Sequence, residues 1–265
     1  MVAILALLGV WAVLPVSNAA FTDTTSTSAL LVTRRYFHVG SLVTWGATGD
    51  GQTAVSRAPH RLSPVQVGSS TLWSSVSAGL WHTCAVRTDG TLWCWGQNAD
   101  GQLGSGDTVD FSAPAQVGTA TTWATVSLGD KFSCARRVDD SLWCWGYNPS
   151  GQLGIGNTDG RFTPAQVGAG SSWSSVVAGN RHACATRTDG TLWCWGDNDF
   201  GQLGLGDTTD RTAPVQVGTA TDWAGIAAGG LHTCARRGAG TLWCWGGGSH
   251  GQLGQGDASS YSSPR

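Results

Sequence analysis

The sequence predicts an all-β fold: a β-propeller, or an open propeller arc, of about five four-stranded blades. Three observations lead there. Residues 91–104, Thr-Leu-Trp-Cys-Trp-Gly-Gln-Asn-Ala-Asp-Gly-Gln-Leu-Gly, return with unchanged spacing at 141–154, 191–204 and 241–254, a fixed 50-residue repeat. Each copy holds short alternating runs between Gly, Pro and Asp, with no sustained 3.6-residue period. The chain is 41% hydrophobic and 12% charged, with 39 Gly and 15 Trp, so it has apolar surface for a core and little of the charge that keeps chains disordered. A sandwich would not explain the fixed period; a radial array of small sheets does.

In chain order, residues 2–16 form an apolar run broken only by glycine and proline, and Ser17-Asn-Ala-Ala20 supplies small residues of the kind signal peptidase accepts. Residues 1–20 are therefore expected to be a signal peptide and the protein to be secreted or displayed at the cell surface. The run is shorter than the roughly 20 residues of a membrane helix, so no membrane span is expected in the mature chain. No Lys or Arg precedes it, the first basic residue being Arg34. Phe21-Thr-Asp-Thr24 resembles the segment that follows the signal in some exported bacterial surface and matrix proteins. Residues 21–39 read as a Thr/Ser-rich leader that matches no repeat. Ser41-Leu-Val-Thr-Trp-Gly46 then lies over Thr91-Leu-Trp-Cys-Trp-Gly96, which makes 40–64 the back half of a decayed copy. Full copies follow at 65–114, 115–164, 165–214 and 215–264.

Within the first full copy, strands are expected at 73–79, 82–87 and 91–95, with a fourth opening at Pro114, where proline is tolerated only at a strand start or on an edge. Thr88-Asp89-Gly90 has the form of a three-residue hairpin loop, whose last position needs the positive φ that glycine takes freely. Counting back from that turn puts Ala85 opposite Trp93 and Cys84 opposite Cys94. Such a pair falls at a non-hydrogen-bonded site, with Cα atoms about 4.5 Å apart, inside the range of a disulfide. The eight cysteines come only as Cys84/Cys94, Cys134/Cys144, Cys184/Cys194 and Cys234/Cys244, and the decayed copy lacks both members. Four hairpin disulfides fit an oxidising compartment. Zinc does not fit as well: His82, His182 and His232 precede a cysteine by two residues, but Phe132 takes that place while Cys134 and Cys144 remain.

The columns Trp73, Gly79, Cys84, Arg87, Trp93, Cys94, Trp95, Gly96, Gly101, Gln102, Leu103, Gly104 and Gly106 keep their identity in all four copies. Such exact symmetry is a packing signature, with the tryptophans read as filling between blades. The recurring Ala78-Gly79 to His82, Asp89-Gly90, Trp95-Gly96 to Asn98 and Gly101-Gln-Leu-Gly104 resemble the repeat of the regulator of chromosome condensation family, across residues 40–264. That resemblance implies a propeller of four-stranded blades, usually seven, used mainly as a protein-binding platform. At 50 residues per blade this chain holds fewer in register, and an incomplete propeller is expected over a closed ring. Its last copy is expected to stop before its fourth strand.

Net charge −2 and a pI near 6.3 give no basic footprint for nucleic acid. No nucleophile elbow, phosphate loop or asymmetric carboxylate pair stands out, so neither catalytic residues, cofactor nor metal are expected. Function is sought where copies differ, on loops carried by a rigid frame. The windows 80–82 and 97–100 and their copies hold the candidates Trp81, His82, Lys131, Phe132, Tyr147, Arg181 and Phe200, aromatic and cationic residues of the kind that anchor interfaces. A secreted, non-enzymatic module with an unknown protein ligand is the leading reading. The alternatives are inhibition of an extracellular enzyme, as in a secreted β-lactamase-inhibitor protein that shares this repeat, and carbohydrate binding by the tryptophans. Nucleotide exchange on a small GTPase, the activity of the family's founding member, is not expected, because no copy carries an inserted wedge.

Overall fold

The computed structural model describes residues 41–47, 51–54, 60–170 and 172–265, and the expected signal peptide (1–20) and leader (21–39) lie outside them. Among the described residues every element is a strand. The first blade pairs β1 (Val43–Ala47) with β2 (His60–Gln66), so the strand that runs through Val65 closes the decayed copy, as its phase predicts. The second blade runs β3 (Trp73–Ala78), β4 (His82–Arg87), β5 (Leu92–Gly96) and β6 (Phe111–Gln116). The third runs β7 (Trp123–Leu128), β8 (Phe132–Arg137), β9 (Leu142–Gly146) and β10 (Arg161–Gln166). The fourth runs β11 (Trp173–Ala178), β12 (His182–Arg187), β13 (Leu192–Gly196) and β14 (Arg211–Gln216), and the fifth β15 (Trp223–Ala228), β16 (His232–Arg237) and β17 (Leu242–Gly246). All pairings are antiparallel and follow chain order, and the innermost strands β3, β7, β11 and β15 pack in series. The result is an arc of propeller blades.

The hairpin register is the one the turn dictates. Arg87 N–H donates to Thr91 O at 2.9 Å, Gly90 has φ 76°, and Cys84 lies opposite Cys94. In the third blade the glycine's place is taken by Asp140, with φ 62°, and Arg136 pairs with its carboxylate. All four expected disulfides are present, Cys84–Cys94, Cys134–Cys144, Cys184–Cys194 and Cys234–Cys244, each with Cα atoms 4.1 Å apart.

Strand ends at β3 and β5 shift by one residue, and two features differ from the sequence reading by more. The fourth strand begins at Phe111, so Pro114 lies inside β6 and not at its start. It is tolerated because β6 is an edge strand and the register jumps between Cys94–Ala115 and Gly96–Phe111; residues 112–114 bulge opposite Trp95, where no ladder bond is lost. The same early start gives the fifth blade part of the strand it was expected to lack. Gly246 and Tyr261 exchange backbone hydrogen bonds, as do Cys244 and Arg265.

The core lies between blades as well as within them. Leu92, Leu103 and Val117 of the second blade pack with Trp123, Val126 and Trp145 of the third. Each deepest tryptophan is also tied to the preceding blade, Trp145 Nε1 donating to Gln102 O and Trp195 Nε1 to Gln152 O, both at 3.0 Å. The Trp93 column packs against the core between blades and has a second role besides. Trp93 is half-buried, and the Arg87 guanidinium lies 4.1 Å from its ring and 4.8 Å from that of Trp73. A cation between two rings is worth on the order of 1 kcal/mol per contact, less where water reaches it.

Candidate protein-binding face

Two variable columns are bound together by the blade's own backbone. Gln97 N–H donates to Trp81 O, Tyr147 to Lys131 O, Asp197 to Arg181 O and Gly247 to Leu231 O, each within 2.7–2.9 Å. The loops before β4, β8, β12 and β16 therefore share one face with the loops after β5, β9, β13 and β17.

On that face side chains reach across blade boundaries. Lys131 of the third blade pairs with Asp100 of the second at 3.3 Å and lies 5.7 Å from the Tyr147 ring. Arg181 of the fourth blade lies 6.0 Å from the same ring and 3.8 Å from Asp197. Tyr147 is thus flanked by a cation from its own blade and one from the next. At either side stand exposed apolar groups, Leu80 and Trp81 on the second blade, Phe200 and Leu231 on the fourth and fifth. Trp81 is 37% exposed.

Trp81, Lys131, Tyr147, Arg181 and Phe200 are thus brought to one surface, while His82 and Phe132 are corrected. Both are 0% exposed and unavailable to a partner. They open strands β4 and β8 two residues before a buried cysteine, so the strand's two-residue alternation turns them inward. The Ser133 hydroxyl donates to Gln102 O, which leaves its oxygen to accept from His82 Nε2–H at 2.9 Å. His182 does the same with Thr233 at 2.9 Å. Burial lowers the imidazolium pKa to about 3 for His82 and about 4 for His182, so both rings are neutral joints between blades.

The disulfide cysteines among the sequence-predicted site residues fall outside this surface as well. Cys194 differs from the exposed candidates in being fully buried: it is bonded to Cys184 and packed with Leu203, Val217 and Trp245. It stands two residues after Leu192 on β13, which puts both on the inward side of that strand. Cys84, Cys94, Cys134, Cys144, Cys184 and Cys244 are buried too. Cys234 is half-buried, and the other three bonds are internal ties of the blades that offer a partner nothing to touch.

Sequence reading passed over three acidic residues beside Arg181. Asp197, Asp199 and Asp210 bring carboxylate oxygens within 4.8 Å of one another. Asp197 accepts from Gln202 Nε2 and Asp199 N–H, and Asp210 from Asn198 N–H, so the chain's own donors serve these two. Burial, with Asp197 and Asp199 nearby, raises the Asp210 pKa. The Asp130 carboxyl, in the same window as Lys131, was also missed.

A family model described as an RCC1-like domain matches residues 21–265. The chain belongs to the RCC1-like family. This RCC1-like chain is 21% identical to human WBSCR16 with a TM-score of 0.76, covering 85% of this chain and 66% of that one. Against Prp20p of Saccharomyces cerevisiae identity is 21%, the TM-score 0.75, and coverage 85% of this chain and 58% of the other. The yeast RCC1 (Prp20) solved with Kap60 gives 19%, 0.74, and 85% and 56%. At these identities the likeness is one of fold. The RCC1-like chain spans less than two thirds of the length of each of these structures. No curated protein matches it significantly. Among the described residues no helix is long and apolar enough to cross a membrane.

Proposed function

We propose that the protein is an exported, non-enzymatic binding module whose ligand is another protein, held on the face that carries Trp81, Lys131, Tyr147, Arg181 and Phe200. The observation that carries this reading is the placement of asymmetric aromatic and cationic side chains on a scaffold that is otherwise repeated. Lys131, Tyr147 and Arg181 are braced across blade boundaries, so little side-chain freedom is lost on docking. Four disulfides within the hairpins support export to an oxidising compartment. The carbohydrate alternative is less favoured, since two cations lie over the Tyr147 ring where a sugar would stack.

The reading is tested with immobilised protein and a pool of extracellular proteins. Trp81→Ala and Arg181→Glu should each weaken retention of a specific partner by at least about tenfold, roughly 1.4 kcal/mol, with melting unchanged. Val138→Ser, on an exposed turn at the opposite end of the strands, should leave retention intact. Equal retention by all variants would remove the face from consideration.

A further inference from the structure

Where the inner strands end, the fourfold pattern is broken by one residue. Gly79, Gly129 and Gly179 lie just beyond β3, β7 and β11 and bring successive backbones close: a Cβ on Gly79 would lie 2.6 Å from Gly129 O, and one on Gly129 2.5 Å from Gly179 O. The next column reads Leu80, Asp130, Asn180 and Gly230, with Asp130 N–H donating to Asn180 O at 3.1 Å and Asn180 N–H to Gly230 O at 3.3 Å. These two columns, with Ala78, Leu128, Ala178 and Ala228 at the strand ends, line a cavity of about 350 Å³. Asp130 is the one charged residue in that lining. Its Oδ1 is shut off from solvent and accepts no hydrogen bond among the described residues. Its neighbour Lys131 turns away to Asp100, and no ion pair among the described residues involves Asp130.

A carboxylate oxygen shut away from water and from any donor is costly. On the surrounding face Asp100 and Asp197 are paired with Lys131 and Arg181, and Asp199 and Asp210 have no ion pair among the described residues. We propose that this mouth receives a lysine side chain of the partner protein, its ammonium on Asp130 and its aliphatic stem against Leu80, Leu128 and Ala178. The ammonium meets Oδ2, the oxygen not shut off from solvent, and the charge that the two oxygens share lets this contact offset the cost at Oδ1. A stem in apolar surroundings with a charged tip on an acceptor is the ordinary behaviour of lysine. Since Leu80, Asn180 and Gly230 stand where other blades would repeat Asp130, the ammonium has a single anionic docking point, which fixes the partner's rotation on the arc. This inference rests on the face being a protein-binding surface.

The test is a titration of the isotope-labelled chain with the peptide acetyl-Gly-Gly-Lys-Gly-Gly-amide, and with its norleucine counterpart, followed by NMR. The lysine peptide should shift the amides of Gly129, Asn180 and Gly229, and the norleucine peptide should not. Asp130→Asn should weaken the lysine response about tenfold or more, as expected when an ion pair is removed from an enclosed site. Leu80→Trp, which narrows the mouth and leaves Asp130 in place, should abolish it and keeps the test open if Asp130→Asn fails to fold. Equal shifts with norleucine, no shift at all, or an undiminished response in both variants would overturn the proposal. If the peptide fails while Trp81→Ala and Arg181→Glu still release the partner, the pocket falls and the face stands; if those variants also retain it, both fall.

Discussion

The fourth and fifth blades carry the same Leu-Trp-Cys-Trp-Gly strand, yet Leu192 is 0% exposed and Leu242 is 69% exposed. Leu192 is covered by the next blade, where Trp223 and Ile226 join its cluster. Polar detail diverges too. In the fourth blade Asp189 accepts from Thr191, whose oxygen accepts from Trp193 Nε1, while the fifth has Ala239 in that place and loses the anchor. Arg187 lies between Trp173 and Trp193 at 4.8 and 4.1 Å, whereas Arg237 is drawn to Asp222 and stands 5.7 Å from Trp223. A repeat thus sets its own strands and hairpins, and its neighbour decides how much of it becomes core.

The largest effect separating the two blades is expected from leucine truncation. Leu192→Ala should cost about 2–5 kcal/mol in denaturant unfolding, and Leu242→Ala less than about 0.5. Equal costs would mean that the fifth blade's face is covered in solution.

An acid titration of stability sharpens the contrast next. Because burial lowers the His182 pKa to about 4, the unfolded chain takes up this proton at higher pH than the folded one. Its contribution is complete above about pH 6.5 and is lost as pH falls from there toward 4, on the order of 3 kcal/mol in all. His182→Phe, which copies the third blade's Phe132, should flatten that part of the profile. A profile unchanged by the substitution would show that the acid sensitivity lies elsewhere.

The smallest effect concerns the fifth blade alone. Asp222→Ser, the residue of the fourth blade, should release Arg237 to stack between Trp223 and Trp243 and gain a few tenths to about 1 kcal/mol, since an exposed ion pair contributes little. A loss of stability on a matched thermal melt would rank the ion pair above the stack.

Much of this was legible in the chain because repetition aligned it with itself. The three-residue turn at 88–90 fixed the partner of every residue in β4 and β5, and with it the disulfides. The burial of Phe132 was harder to see: judged by its variable window it resembled a loop aromatic, though its place two residues before Cys134 marked it as inward. Asp130 escaped for a different reason. Its distinction depends on Leu80, Asn180 and Gly230 converging from other blades, and no single copy records that convergence.

The bond from each deep tryptophan to a glutamine carbonyl one blade earlier is the same at every joint, Trp95 to Gln52, Trp145 to Gln102, Trp195 to Gln152 and Trp245 to Gln202. The tryptophan bond alone therefore carries no address, and what distinguishes the joints is the column where His82 meets Ser133, His182 meets Thr233 and the third blade has Phe132. Loss or duplication of a 50-residue unit would keep the tryptophan socket at each seam, but removal of residues 115–164 would set His82 against Ala183, which has no hydroxyl to meet its ring. Arc length in this architecture can change by whole blades under genetic recombination, while point substitutions on the loops alter the exposed face independently.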